Sequence, residues 1–243
     1  MFHRNGPTLR ELAVEALSST ERGYDLLAPK FDYTPFRTPD SLLEAVAALL
    51  PARSGRAAYA SGLDVCCGTG AGMRMLRPLC RDRVVGVDIS RGMLSVAQRR
   101  LAGFPGDTPL ELVRGDALEL PFGPVFDIAV CFGALGHIPR ADEARFIAEV
   151  AGVLRPGGRF VFVTSYMPSL RSRRYWLSRG FNAAMHLRNA LVSPPFVMYY
   201  LTFLLPDVHH ILEQSGLSVE VHRFGSAAGL PEELRLVVAI RES

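Results

Sequence analysis

Short apolar runs recur along this chain, each closed by glycine, proline or a carboxylate, with stretches of helical spacing between them. The first clear run, in LDVCCGTGAG from Leu63 to Gly72, stops in the alternating glycines Gly68, Gly70 and Gly72. A buried strand that ends in glycines exposes bare backbone amides to which a ligand can come close. Met73, Leu76 and Leu79 then fall at helical spacing, so the turn lies at a helix N-terminus, where free N–H groups favour a carboxylate or phosphate. Val84–Val87 is the next run and ends in Asp88, twenty residues beyond Gly68, the offset at which a carboxylate can accept from ribose hydroxyls. After Met93, Val96, Ala97 and Leu101 comes Leu110–Val113, closed by Arg114-Gly115-Asp116-Ala117, a second acid at a strand end. The fourth run, Phe126–Phe132, passes into Gly133-Ala134-Leu135-Gly136-His137, and the fifth, Arg159–Thr164, follows the turn Arg155-Pro156-Gly157-Gly158. Alone, a glycine-rich strand-to-helix turn serves dinucleotides, phosphates and methyl donors alike.

Taken in order, LDVCCGTGAG, VVGVDIS, RGDALELPF, FDIAVCFGALGHIP and VLRPGGRFVF resemble the class I S-adenosylmethionine-dependent methyltransferases, and the CCGTG form resembles the quinone-methylating members. The resemblance covers about Gly62 to Thr164, and HHILEQSGLSVEVHRF with LRLVVAI resembles that family's last helix and strand pair. It implies an α/β, Rossmann-like, seven-stranded, mostly parallel sheet with an antiparallel last strand, helices on both faces, an N-terminal helical cap and an insertion after the fifth strand. It also implies S-adenosylmethionine as cofactor and S-adenosylhomocysteine as product. Gly68, Thr69 and Gly70 would pass along the methionine part, with Asp64 counted among the cofactor-binding residues. Asp88 would hold the ribose, Ile89 and Met93 would line the adenine, and Asp116 with Ala117 would read its amino edge. Phe132 and Gly133 would close the pocket beside the sulfonium. One position departs: the family's first glycine is here Cys66.

The remaining segments fit one domain of 243 residues. We divide it into a cap (1–52), a cofactor-binding core (57–164), a substrate-side lid (165–206) and a closing helix and strand pair (207–243). Leu9–Leu27 has helical spacing, and Thr38–Leu50 opens on the helix signal Thr-Pro-Asp-Ser. Between them, GYDLLAPKFDYTPF resembles the entry segment of small-molecule methyltransferases, which implies that Tyr24 and Tyr33 fold over the cofactor; aromatic packing of a docked helix is the alternative. Leu217–Phe224 and Leu234–Ile240 are joined too closely for a parallel crossover, so they should pair antiparallel.

Composition changes the picture at three points. Cys66, Cys67, Cys80 and Cys131 have no metal-ligand spacing, so no metal is expected, and MFHRNGPTLRE has no apolar stretch of a signal peptide, which makes a cytoplasmic protein the default expectation. Net charge is +3, with Lys30 the lone lysine, and acids nearly balance the arginines, which disfavours nucleic acid as a partner. The distribution is uneven: from Val150 to Pro206 there is no Asp or Glu, while Arg155, Arg159, Arg171, Arg173, Arg174, Arg179 and Arg188 all fall inside. Arg174, Tyr175, Trp176 and Tyr166 are expected to face the acceptor, with Tyr199 in the uncharged run Asn189–Leu205. That run is too short and too interrupted by Pro194-Pro195 to cross a bilayer, which needs roughly 20 apolar residues. It suits a lid packed on the sheet, an interfacial helix, or a wall for a greasy acceptor.

Ser193-Pro194-Pro195-Phe196 imitates a motif of amino-group methyltransferases, but that motif directly follows the fourth strand, where this chain has Phe132-Gly133-Ala134-Leu135. A sulfonium methyl needs chiefly an in-line nucleophile about 3 Å away, positioning that supplies about 7–11 kcal/mol. An oxygen or carbon nucleophile must also lose a proton, and a histidine at the mouth of the site gives roughly 10²- to 10⁴-fold. His137 is the candidate base, with His209 and His210 behind it; a backbone or capping role is its alternative. The expected activity is O- or C-methylation of a small, lipophilic acceptor, with peripheral membrane contact. Methylation of RNA or protein through the basic insertion, a regulatory domain without turnover, and an NAD-dependent oxidoreductase stand as alternatives.

Overall fold

The computed structural model describes residues 4–50, 57–225 and 229–242. Its seven strands are β1 (Tyr59–Val65), β2 (Cys80–Asp88), β3 (Leu110–Arg114), β4 (Phe126–Cys131), β5 (Leu154–Ser165), β6 (Leu217–Arg223) and β7 (Leu234–Arg241). They form one sheet in the order β3-β2-β1-β4-β5-β7-β6. β1, β2, β3, β4 and β5 pair in parallel, and β7 runs antiparallel to both β5 and β6. The antiparallel finish expected from the short link is present. The parallel strands read as nearly continuous apolar runs because both faces of the sheet are covered. Alternation still sorts them: Ile128 and Val130 of β4 join one core cluster, while Ala129 and Cys131 join the other.

Helices α4 (Ala71–Leu76) and α5 (Arg91–Leu101), with α3 (Asp40–Leu49), cover the face of Ile128 through Met73, Leu76, Ala97, Leu101, Leu43 and Val46. On the opposite face, α6 (Glu143–Val153) and α8 (Asp207–Gln214) bury Phe146, Ile147, Val150, Val208 and Leu212 against Phe160 and Phe162. The order reverses beside β1: the chain steps outward to β2 and β3, then returns to β4 on its other side. That reversal opens a crevice beyond the carboxyl ends of β1 and β4.

The N-terminal region differs from one continuous helical segment. Ser19 accepts from the Arg22 N–H and starts a second helix, so α1 (Leu9–Ala16) and α2 (Thr20–Leu27) are separate. A 3₁₀ segment, Ala28–Tyr33, follows. Asp25 on α2 anchors the cap to the core: its Oδ1 accepts from Ser90 Oγ at 2.6 Å and from the Gly92 N–H at 2.8 Å, at the N-terminus of α5. The proposed boundary between cap and core, near 52–57, falls largely outside the described residues.

The basic insertion holds α7 (Arg173–Leu191), followed by residues 192–206 without a helix. This corrects the expectation of an interfacial helix in Asn189–Leu205: its first three residues end α7, and the rest is an irregular strap whose Phe196, Phe203 and Leu205 are buried in the domain. Ser193-Pro194 and Leu205-Pro206 are cis. The strap gets its backbone partners from α7 and from β5 instead of from itself, with Leu205 N–H donating to Ser165 O at 3.0 Å.

Asp25→Ala is expected to lower unfolding free energy by about 1.5–3 kcal/mol, since both bonds end on a carboxylate. Urea titration checks this, with Asp25→Asn recovering part of the loss; an unchanged midpoint would show that the cap is held elsewhere.

Candidate functional site

At the crevice, β1 ends in three residues with left-handed backbone: Cys66 (φ 57°), Gly68 (φ 52°) and Gly70 (φ 88°). That geometry turns the chain from strand to α4 within a few residues, and Gly70 is the N-cap of α4. A non-glycine residue there costs about 1–2 kcal/mol, which is the physical cost of the departure at Cys66. The loop is tied down from two sides. Cys67 N–H donates to Val87 O at 2.9 Å and Gly68 N–H to the Asp88 carboxylate at 2.8 Å. Thr69 Oγ1 donates to Asp32 Oδ1 at 2.8 Å, and Asp32 also pairs with Arg100.

The loop forms one wall of a cavity of about 350 Å³. Asp64, Gly68, Thr69, Asp88, Ile89, Met93, Asp116, Ala117, Phe132, Gly133 and Tyr24 all line it, as does His137. Gly70 does not line it; its backbone shapes the turn instead. Asp116 is fixed at the rim, where its Oδ1 accepts from the Leu118 N–H at 2.9 Å. Asp88 also accepts from the Ser90 N–H at 2.9 Å, and burial raises its pKa above the usual carboxylate value, against the pull of those two amide donors.

Asp64 is the most informative group. It is buried beneath the turn with Oδ2 lacking any hydrogen-bond partner, and a Cβ at Gly72 would sit 2.6 Å from that oxygen. Burial first, and the neighbouring Asp88 after it, push its pKa up to about 8, against a backbone hydrogen bond from Met73. A cavity with a buried, half-partnered carboxylate at one end, and a second acid on an adjacent strand end, fits a ligand with a cation near one end and hydroxyls further along.

Behind this cavity lies a second, of about 290 Å³, lined by Val163, Thr164 and Ser165 of β5 and by the strap from Met198 to Leu204. The two share a wall: Tyr24, Phe31, Phe36, Gly133 and His137 line both. Within it, Tyr24 Oη lies 2.6 Å from His137 Nε2, and His137 Nδ1 lies 2.5 Å from Val197 O. A carbonyl can only accept, so Nδ1 carries the proton, and in the neutral ring Nε2 accepts from the Tyr24 hydroxyl. Burial lowers the His137 pKa and raises that of Tyr24, so the pair rests neutral.

Several expected site residues lie elsewhere. Tyr33 lines neither cavity and is exposed: the 3₁₀ segment repeats every three residues, so Phe31 turns inward and Tyr33 outward. Arg174 and Trp176 are exposed on α7, and Tyr175 packs on Trp176 with ring centroids 5.3 Å apart. Tyr166 is exposed, with Arg235 over its ring. None of these four lines a cavity, because the strap lies between α7 and the sheet. Tyr199 does line the second cavity. His209 and His210 face Glu213 and Gln214 on α8, away from both. Phe31, Phe36 and Thr38, which line the first cavity, carry no sequence signal beyond their place in the cap. No group of three or more metal-ligating side chains occurs among the described residues.

Residues 63–158 match a family model described as a methyltransferase domain. A demethylmenaquinone methyltransferase of Symbiobacterium thermophilum is 37% identical over 116 residues, 46% of this chain and 45% of that protein. One from Bacillus licheniformis is 33% identical over 143 residues, 58% of this chain and 60% of that protein. Magnesium protoporphyrin IX methyltransferase from Synechocystis, solved with bound S-adenosylhomocysteine, has the same fold, at TM-score 0.62 and 18% identity over 92% of this chain and 96% of that one. Fold, motif order and relatives together place residues 63–158 in the class I, S-adenosylmethionine-dependent methyltransferase family. Within it, this chain is similar to the quinone-methylating members over about half of their length.

S-adenosylmethionine is the cofactor of this class, and the cavity's residues fit it: a buried carboxylate with one oxygen unpartnered suits the ammonium, and Asp88 suits ribose hydroxyls. Asp88→Ala is expected to weaken donor binding at least tenfold, as lost charge-assisted bonds imply; unchanged calorimetric affinity in a folded variant would remove Asp88 from the site. For Asp64, the raised pKa means the unfolded chain releases its proton first, so ligand-free stability falls as pH rises from about 4 to 8. Asp64→Asn should make that fall shallower and raise the melting temperature at pH 8 while weakening donor binding. Equal pH slopes in the two proteins would show that Asp64 is ionised in the empty site.

Proposed function

We propose that this protein methylates a small, apolar, ring-containing acceptor at oxygen or carbon, with the donor in the first cavity and the acceptor in the second. The shared wall of Tyr24 and His137 is the observation that carries this reading. The second cavity sets apolar side chains, Val163, Met198, Leu201, Phe203 and Leu204, beside the hydroxyl-bearing Thr164, Ser165 and Thr202, which suits a ring that carries oxygen substituents. The curated relatives' name, demethylmenaquinone methyltransferase, supports a quinol-type acceptor.

When bound, S-adenosylmethionine supplies a methyl carbon on positive sulfur, which departs as a neutral thioether. Asp64 would hold the ammonium, Asp88 the ribose and Asp116 with Ala117 the adenine edge, while Phe132 and Gly133 close the space at the β4 end. Closure by the cap residues Phe31, Phe36 and Thr38 excludes water from the reacting groups. His137 Nε2 is the base. Its lone pair already accepts from Tyr24, so the acceptor's proton passes to the Tyr24 oxygen as the Tyr24 proton passes to Nε2. Val197 O, bonded to Nδ1–H, keeps the ring in the tautomer this requires and stabilises the imidazolium that forms.

Incubation with labelled donor and a panel of hydroquinones, phenols, RNA and protein tests the acceptor class; label in the quinol and phenol fractions supports the reading, and label only in RNA or protein overturns it. With an acceptor in hand, His137→Ala should slow turnover roughly 10²- to 10⁴-fold and spare donor affinity. A comparable loss in Tyr24→Phe assigns the relay, whereas normal turnover in that variant means direct transfer to His137. Because burial lowers the His137 pKa, the acid limb of the rate profile should lie below the ordinary histidine range.

A further inference from the structure

Helix α7 is built inside out. Its 19 residues span about 28 Å, and none of them is buried. The half-buried side facing the domain mixes Tyr175, Phe181 and Met185 with Ser178, Asn182, Arg188 and Asn189, and the polar residues make its hydrogen bonds. Asn182 pairs both ways with the strap, Nδ2 donating to Tyr200 O at 2.7 Å and Oδ1 accepting from the Tyr200 N–H at 2.8 Å. Asn189, two turns on, does the same with Phe196, at 3.0 Å each way. Arg188 donates to the Pro194, Ala16 and Ser18 carbonyls. The helix therefore meets the backbone polar groups of the strap and of the link after α1.

The apolar stripe faces outward. Trp176, Ala183, Leu187 and Leu191 recur at helical intervals on one face, and Trp176, Leu187 and Leu191 are 64%, 62% and 75% exposed. Leu170, just before the helix, is exposed as well. Arg173 and Arg179 stand beside the stripe, both exposed, and there is no Asp or Glu from Val150 to Pro206 to oppose them. A surface helix ordinarily turns such a stripe to the core. An aromatic and leucine stripe flanked by arginines, on a helix held to its own domain by polar contacts, is the pattern of a helix that lies in a bilayer interface. None of the described helices is long and apolar enough to cross a membrane, so the contact is peripheral.

We infer that the outer face of α7 docks on an anionic lipid bilayer, with Trp176, Leu187 and Leu191 entering the interface and Arg173 and Arg179 meeting lipid phosphates. The strap that α7 grips forms one wall of the second cavity, so docking sets that cavity beside the membrane. A lipophilic acceptor then need not cross bulk water. The inference goes beyond the proposed acceptor, and vesicle binding reads it without turnover, so the two can fail separately.

Trp176 is the sole tryptophan, which makes its fluorescence a direct reporter. Vesicles of phosphatidylglycerol with phosphatidylcholine should shift its emission to the blue and sediment the protein, whereas phosphatidylcholine alone should bind it at least tenfold more weakly. Leu187→Glu with Leu191→Glu, and separately Arg173→Glu with Arg179→Glu, should each weaken vesicle binding at least tenfold while donor affinity and circular dichroism stay unchanged. Added salt should weaken binding in the parent protein. Absence of both shift and sedimentation overturns the inference, as does equal binding to the two vesicle types. So does a dimer that shifts the emission without vesicles and is dissociated by the leucine pair, since a second copy would then cover the face.

Discussion

Everything at the site depends on how β1 stops. It is the strand at which the sheet order reverses, with β2 on one side and β4 on the other, and it ends in left-handed backbone at Cys66, Gly68 and Gly70. The turn lets Asp88 on the neighbouring strand end accept directly from the Gly68 N–H. It also lays Gly72 so close over Asp64 that the carboxylate is buried with its Oδ2 unpartnered. One backbone constraint thus creates the crevice, aims one acid and buries another.

The cap completes what the sheet begins. Asp25 fastens α2 to the N-terminus of α5, and Thr69 fastens the glycine turn to Asp32. From the cap so held, Tyr24, next to Asp25, reaches His137, and the two cavities acquire a common wall. Phe196 of the strap packs parallel to Tyr24, with ring centroids 6.4 Å apart, and Val197 O fixes the His137 tautomer. Cap, β4 loop and strap therefore converge on a single hydrogen-bonded chain at the wall the two cavities share.

The strap carries a backbone with no regular secondary structure of its own, so most of its polar groups must find partners elsewhere. Asn182, Asn189 and Arg188 answer that need, and their demand for the inner side of α7 leaves the leucines and Trp176 outside. The outward apolar face is thus a consequence of how the strap is satisfied, and the same strap lines the second cavity.

The sequence by itself determined the sheet, because β1 to β4 each close on a glycine or an acid, β5 follows a Pro-Gly-Gly turn, and the short final link forced the antiparallel finish. It also determined the glycine turn, Asp88, Asp116 and His137, since these sit at strand ends whose position follows from local pattern. Tertiary structure alone decided which aromatics face the site: a 3₁₀ segment turned Phe31 inward and Tyr33 outward. It alone bonded Tyr24 to His137 across 113 residues of sequence separation. It also took Arg174, Tyr175 and Trp176 from the acceptor side, because the strap, an uncharged run that looked helical or interfacial, fills the space beneath α7. Local periodicity records which residues share a face; only packing decides what that face meets.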